Sequence, residues 1–90
     1  MKIILKRRLN NYDQWKKLVS EYDGVRKQYG SRGAWVYRSA KDPNEVYLVF
    51  EWDDSLPHQR FLDLPEVKKA LADSGTTEVI EVSESFYLEE

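Results

Sequence analysis

Residues 33–52 read GAWVYRSAKDPNEVYLVFEW. Two runs rich in Trp, Tyr, Val and Phe, 33–41 and 45–52, are parted by Asp42-Pro43-Asn44, where Pro presets the first corner of a turn. The stretch predicts a β-hairpin. With Lys41 facing Val46, Trp35 lies opposite Trp52, Tyr37 opposite Phe50 and Ser39 opposite Leu48, which makes one face apolar nearly throughout. A slip of one residue would oppose Trp35 to Glu51 and mix charge into that face. The second face then carries Val36, Arg38, Tyr47, Val49 and Glu51, too apolar to be left in water.

Upstream of the hairpin, Tyr12, Trp15, Leu18, Val19, Tyr22, Val25 and Tyr29 recur at steps of three and four, the spacing of one helix side. That helix is expected from about Asn11 to Tyr29, with Asn11 as its cap, Gln14 in the capping-box position and Gly30 as the stop. Residues 2–9 alternate as a strand does, with Ile3, Leu5 and Leu9 on one face and Ile4, Lys6 and Arg8 on the other. Downstream, Asp53-Asp54-Ser55 and Pro57 open a second helix that Pro65 splits and Gly75 ends. Thr77 to Leu88 alternates again, with Ile80, Val82, Phe86 and Leu88 on one face and Glu78, Glu81 and Glu84 keeping it soluble, and is expected to form a long final strand.

The order strand, helix, strand, strand, helix, strand predicts an α+β, ferredoxin-like βαββαβ fold: a four-stranded antiparallel sheet with both helices on one side. The helices cover only that side. A homodimer packed sheet to sheet would cover the other, with Val36, Arg38, Tyr47, Val49 and Glu51 at its interface.

Composition limits the chemistry. The chain has 90 residues, 14 Lys+Arg against 16 Asp+Glu, one His and no Cys. These numbers predict a single domain over 1–90 and exclude a disulfide framework, a thiolate zinc site and a cysteine nucleophile. No apolar run is long enough to span a membrane and no secretory signal is visible, so a soluble, cytoplasmic protein is expected. Glycine-rich phosphate loops, nucleophile elbows and His-x-x-x-His spacings are absent from the sequence. Lys2, Lys6, Arg7 and Arg8 alternate across both faces of a strand without stacking aromatics around them, which argues against a nucleic-acid partner. His58 is the first suspect for proton transfer. It follows Pro57 in the opening turn of a helix and is expected to face water, and no second nitrogen ligand accompanies it to make a metal site.

The segment VYLVFEWDDS (46–55), followed by Phe61, Leu64-Pro65-Glu66-Val67 and Ala70, resembles the antibiotic biosynthesis monooxygenase-like dimeric α+β barrels. The likeness includes the helix start at Tyr12 to Trp15 and the turn at Asp42 to Asn44. It implies a homodimer and a slot between sheet and helices. In relatives of this architecture that slot serves cofactor-independent oxygenases and cyclases of aromatic or polyketide-like molecules. The haem-degrading branch shares Trp52 but needs a histidine where this chain has Leu71 and an asparagine where it has Arg7, so no haem or other cofactor is expected. Tyr22, Tyr37 and Trp52 are the candidate ligand-binding residues, with Arg7 as an anion or enolate partner at the slot mouth. Two functions stay open: a cofactor-free monooxygenase or cyclase, and a non-catalytic homodimeric ligand-binding or interaction module with a filled core. An ionisable group deep in the slot favours the first, and a slot filled by tryptophan favours the second.

Overall fold

In a computed structural model of the chain, which describes residues 1–80 and 82–89, strand β1 (Lys2–Leu9) leads into helices α1 (Tyr12–Glu21) and α2 (Asp23–Tyr29). The hairpin β2 (Ser31–Arg38) and β3 (Glu45–Trp52) follows, then α3 (His58–Leu62), α4 (Pro65–Ser74) and β4 (Gly75–Ile80). The four strands form one antiparallel sheet in the order β2-β3-β1-β4, the ferredoxin-like plan. One face packs under the helices. Its core joins Leu5, Leu9, Val46, Leu48, Phe50 and Trp52 of the sheet to Trp15, Phe61 and Val67 of the helices. No helix among the described residues is long and apolar enough to cross a membrane.

Local chemistry sets the element ends. The Asn11 side chain accepts from the Gln14 backbone N–H at 3.0 Å and caps α1. Gly30, at φ 122°, stops α2, and a Cβ there would sit 2.7 Å from the Trp52 indole nitrogen. At Gly75, φ 147°, a Cβ would fall 2.0 Å from the Arg8 carbonyl oxygen, so α4 turns into β4 only through glycine. The expected helix 11–29 is two helices. It breaks at Tyr22, φ −89° and ψ 3°, just ahead of Asp23-Gly24, a pair suited to starting a helix and poor at continuing one.

The hairpin register differs from the expected one by three residues. Trp35 faces Val49, Val36 faces Leu48, Tyr37 faces Tyr47 and Arg38 faces Val46. The connection is longer than Asp42-Pro43-Asn44. Ser39 Oγ accepts from the N–H groups of Lys41 and Asp42, the Asp42 carboxylate accepts from the Asn44 N–H, and Glu45 N–H closes onto the Asp42 carbonyl. A shift by an odd number exchanges the faces of β2. Val36 and Arg38, expected at the dimer face, point to the helix side, where the Arg38 guanidinium lies 3.8 Å over the Tyr12 ring. Trp35 and Tyr37, expected in the core, are on the helix-free face. Tyr47, Val49 and Glu51 are there too, as expected. A further irregularity between Ser31 and Gly33 restores Trp52 to a β2 partner at Ser31.

The final strand ends at Ile80, short of the expected Leu88. Its ladder partner is β1, with Ile4 opposite Ile80, so β1 runs out of residues almost at once. Residues 82–89 form no regular element, and Glu81 of the expected strand lies outside the described residues.

Candidate functional site

Between the sheet and the helices lies a slot. Its inner chamber is a cavity of about 70 Å³ with Leu5, Arg7, Leu48 and Phe50 on the sheet wall and residues of all four helices opposite. A groove of about 370 Å³ between α1 and α4 adjoins it. Trp15, Leu18, Tyr22, Ala70 and Ser74 line both spaces. The Tyr22 hydroxyl reaches the Glu66 carbonyl at 3.4 Å and so straps α1 to α4 where chamber meets groove.

Strand alternation puts Arg7 on the same face as Leu5 and Leu9, and it is 2% exposed. It is therefore deep in the slot, not at its mouth. Its Nε donates to Thr77 Oγ1 at 2.8 Å, and its Nη2 to the Leu71 carbonyl and to Ser74 Oγ, both at 3.0 Å. Those last two acceptors form the C-terminal end of α4, the negative pole of its dipole. No carboxylate among the described residues pairs with Arg7. Burial lowers its pKa, though a guanidinium stays charged.

The break at Tyr22 turns a second cation inward. Arg26 of α2 is 8% exposed, donates from Nη1 to the Val19 carbonyl at 2.7 Å, and has Asp23 Oδ1 at 3.6 Å from Nη2. Burial lowers its pKa and Asp23 partly opposes that.

His58 does not face water. It is half-buried, lines the chamber, and stands edge-on to Trp52 with ring centroids 4.6 Å apart, near Phe50 and Phe61. Burial lowers its pKa from 6.5, so the imidazole is neutral at pH 7. The spacing of His58 to Phe61 and Leu62, three and four residues, was the signal for an inward histidine.

Of the candidate ligand residues, Arg7 and Tyr22 come together in the slot. Trp52 is 2% exposed and lies beneath His58 and Phe61, outside the slot lining, with its indole N–H buried against Gly30 and without a partner among the described residues. Tyr37 is on the opposite face of the sheet and 57% exposed. Leu71 lines the slot and contributes its backbone carbonyl to Arg7.

The family model for antibiotic biosynthesis monooxygenases matches residues 11–73, which include α1 to α3, the hairpin, all of α4 but Ser74, and most of the slot. The chain belongs to the antibiotic biosynthesis monooxygenase family. Two solved structures similar to this monooxygenase-family chain agree on the fold. One is SnoaB, a cofactor-independent oxygenase from Streptomyces nogalater. It is 15% identical, the match covers 99% of this chain and 96% of that one, and the TM-score is 0.79. The other, a provisional antibiotic biosynthesis monooxygenase from Deinococcus radiodurans, is 15% identical over the whole of both chains with a TM-score of 0.62. No curated protein matches the chain by sequence.

Proposed function

We propose that this family member is a cofactor-independent monooxygenase or cyclase acting on an aromatic or polyketide-like molecule held in the slot. The observation that carries this reading is a neutral imidazole, His58, in the same apolar chamber as the buried guanidinium of Arg7. A neutral imidazole can take a proton from an activated C–H or phenol, and the positive field of Arg7 and Arg26 stabilises the anion left behind. In the oxygenase reaction the carbanion of an activated CH₂ group gives electrons to O₂ and combines with it. The hydroperoxide then loses water, so CH₂ and O₂ become C=O and H₂O. The substrate supplies the electrons and the protein supplies a base, a cation and exclusion of water.

The test is O₂ uptake with the anthrone dithranol, followed together with quinone absorbance and corrected for the uncatalysed rate. Turnover that falls about a hundredfold in His58→Gln fits general-base catalysis. A rate equal to the uncatalysed one sinks the enzymatic reading. The non-catalytic alternative draws on a separate observation: the inner chamber, at about 70 Å³, is far smaller than the 300–1,000 Å³ usual for small-molecule pockets.

We also propose a homodimer through the helix-free face, with residues 1–90 acting as one domain. Trp35, Val49, Ile4 and Ile80 form an apolar row across all four strands. Lys2–Glu51 and Lys6–Glu45 pairs, each 3.8 Å, flank it. An apolar centre with a charged rim is the anatomy of a protein interface.

A further inference from the structure

The reading above leaves the substrate's own charge open, and the inference that follows rests on that reading. We infer that the ligand enters the slot as an aromatic carboxylate, its acid group held by Arg7 in the inner chamber and its flat body lying in the groove between α1 and α4, so that the activated carbon next to the acid group is the one that reaches the chamber His58 lines.

Arg7 is a buried cation with no carboxylate partner among the described residues. Buried cations are ordinarily paired, and removing one from water without a counter-charge is costly. Here the guanidinium is anchored on its Nε and Nη2 side by three neutral oxygens, from Thr77, Leu71 and Ser74. Its Nη1 has no acceptor among the described residues, and it is not sealed off as the Trp52 indole nitrogen is. Two N–H donors of a charged group that lines an apolar chamber are therefore without an acceptor among the described residues. Ser74 adds a third: its hydroxyl donates only a long 3.4 Å bond to Leu71 and can turn toward an anion. A carboxylate satisfies these donors and neutralises the cation at once.

Shape separates the acid from the ring. The chamber of about 70 Å³ is roughly half of the ~150 Å³ apolar cavity that takes a benzene molecule, so it admits a head group and not a ring. The adjoining groove, about 370 Å³, falls in the range of ligand pockets. Ser74 borders both spaces, at the seam between head and body. Tyr22 and Trp15 border the seam as well, and give the body a phenol and an indole to lie against. Arg26 lines the chamber and not the groove, so it remains for charge that develops at the acid end of the ligand.

The experiment compares naphthoate with naphthamide, which share a shape and differ in charge, by calorimetric titration of the full chain, with amide chemical shifts reporting where each binds. The expected result is naphthoate binding about tenfold or more tighter, with shifts at Ser74 and Thr77, because a site built for a charged acceptor rejects the neutral analogue. Arg7→Gln should erase the preference. Ser74→Ala, which keeps the buried guanidinium, should weaken naphthoate severalfold and naphthamide less, narrowing the preference, so the proposal stays testable if Arg7→Gln fails to fold. Equal binding of the two probes in the slot, or a preference that survives in folded Arg7→Gln, overturns the carboxylate assignment while leaving the oxygenase reading in place. Dithranol turnover without binding of either probe does the same. Absence of both turnover and binding removes both readings.

Discussion

The two faces of the sheet are made from the same four strands and handle charge in opposite ways. On the open face the Lys–Glu pairs sit around an apolar row, where water screens them and each contributes little. Under the helices the order is inverted: Leu5, Leu48 and Phe50 surround buried guanidiniums, one of them without a carboxylate partner among the described residues. The first arrangement is what a surface needs in order to meet another surface. The second is not what folding alone favours, since an apolar side chain at position 7 would spare the desolvation of an unpaired cation. The closed face therefore reads as a site and the open face as a contact.

The largest expected difference between the faces is in stability. Trp52→Ala, on the closed face, removes a fully buried indole and should cost about 3–5 kcal/mol. Its denaturation midpoint should be displaced equally at all protein concentrations. A midpoint within error of wild type would show that the closed face is not the core.

Next is Trp35→Ala, the same chemical change on the open face, where the indole is 49% exposed. It should weaken self-association by about 2 kcal/mol, as loss of an interface aromatic does, while leaving the fold of each protomer intact. Sedimentation over a dilution series reads the association. The effect on unfolding should fade as the protein is diluted, because only an associated chain gains from the contact. A wild-type chain that sediments as a monomer throughout would leave the open face without its proposed partner.

These two tryptophans also show how far the sequence reaches. β3 was legible: Val46, Leu48, Phe50 and Trp52 alternate with Tyr47, Val49 and Glu51, and the buried set is the one the alternation predicts. β2 was not, because Trp35, Val36 and Tyr37 are all apolar or aromatic and either face looks acceptable. Register then falls to the connection, and Ser39 and Asp42 build a longer one than the Pro43 turn suggests. In the site, Tyr22 follows from helix spacing, whereas Arg7, expected at the slot mouth, lies deep because strand parity sets it beside Leu5 and Leu9. Pro57 marks His58 as a solvent-facing first-turn residue while its spacing to Phe61 marks it as inward, and nothing in the pattern of Arg26 announces the break at Tyr22 that turns it inward.

A smaller effect concerns pH and belongs to the closed face alone. Burial holds the His58 pKa below its unfolded value of 6.5, so the unfolded chain binds more protons in that window. Stability contributed by neutral His58 is thus fully present above pH 6.5 and is lost as pH falls through 6.5 toward the folded pKa, with a slope of at most about 1.4 kcal/mol per pH unit. His58→Gln should flatten that part of the stability profile. An unchanged profile would mean that His58 is as hydrated in the folded chain as in the unfolded one.

The smallest effect tests the register on which the whole contrast depends. If β2 were paired as its hydrophobic pattern first suggests, Arg38 would lie on the open face and its loss would alter association. In the observed register Arg38 stacks on Tyr12 at 3.8 Å and donates from Nε to the Pro43 carbonyl at 2.8 Å, both on the closed side. A double-mutant cycle of Arg38→Gln and Tyr12→Leu isolates the stacking term, because each single change removes the ring or the cation and leaves the other in place. The coupling should be about 0.5–1 kcal/mol, the size of an exposed cation–π contact, with the association constant unchanged in Arg38→Gln. Zero coupling together with weakened association would return Arg38 to the open face, and with it exchange the positions of Trp35 and Val36.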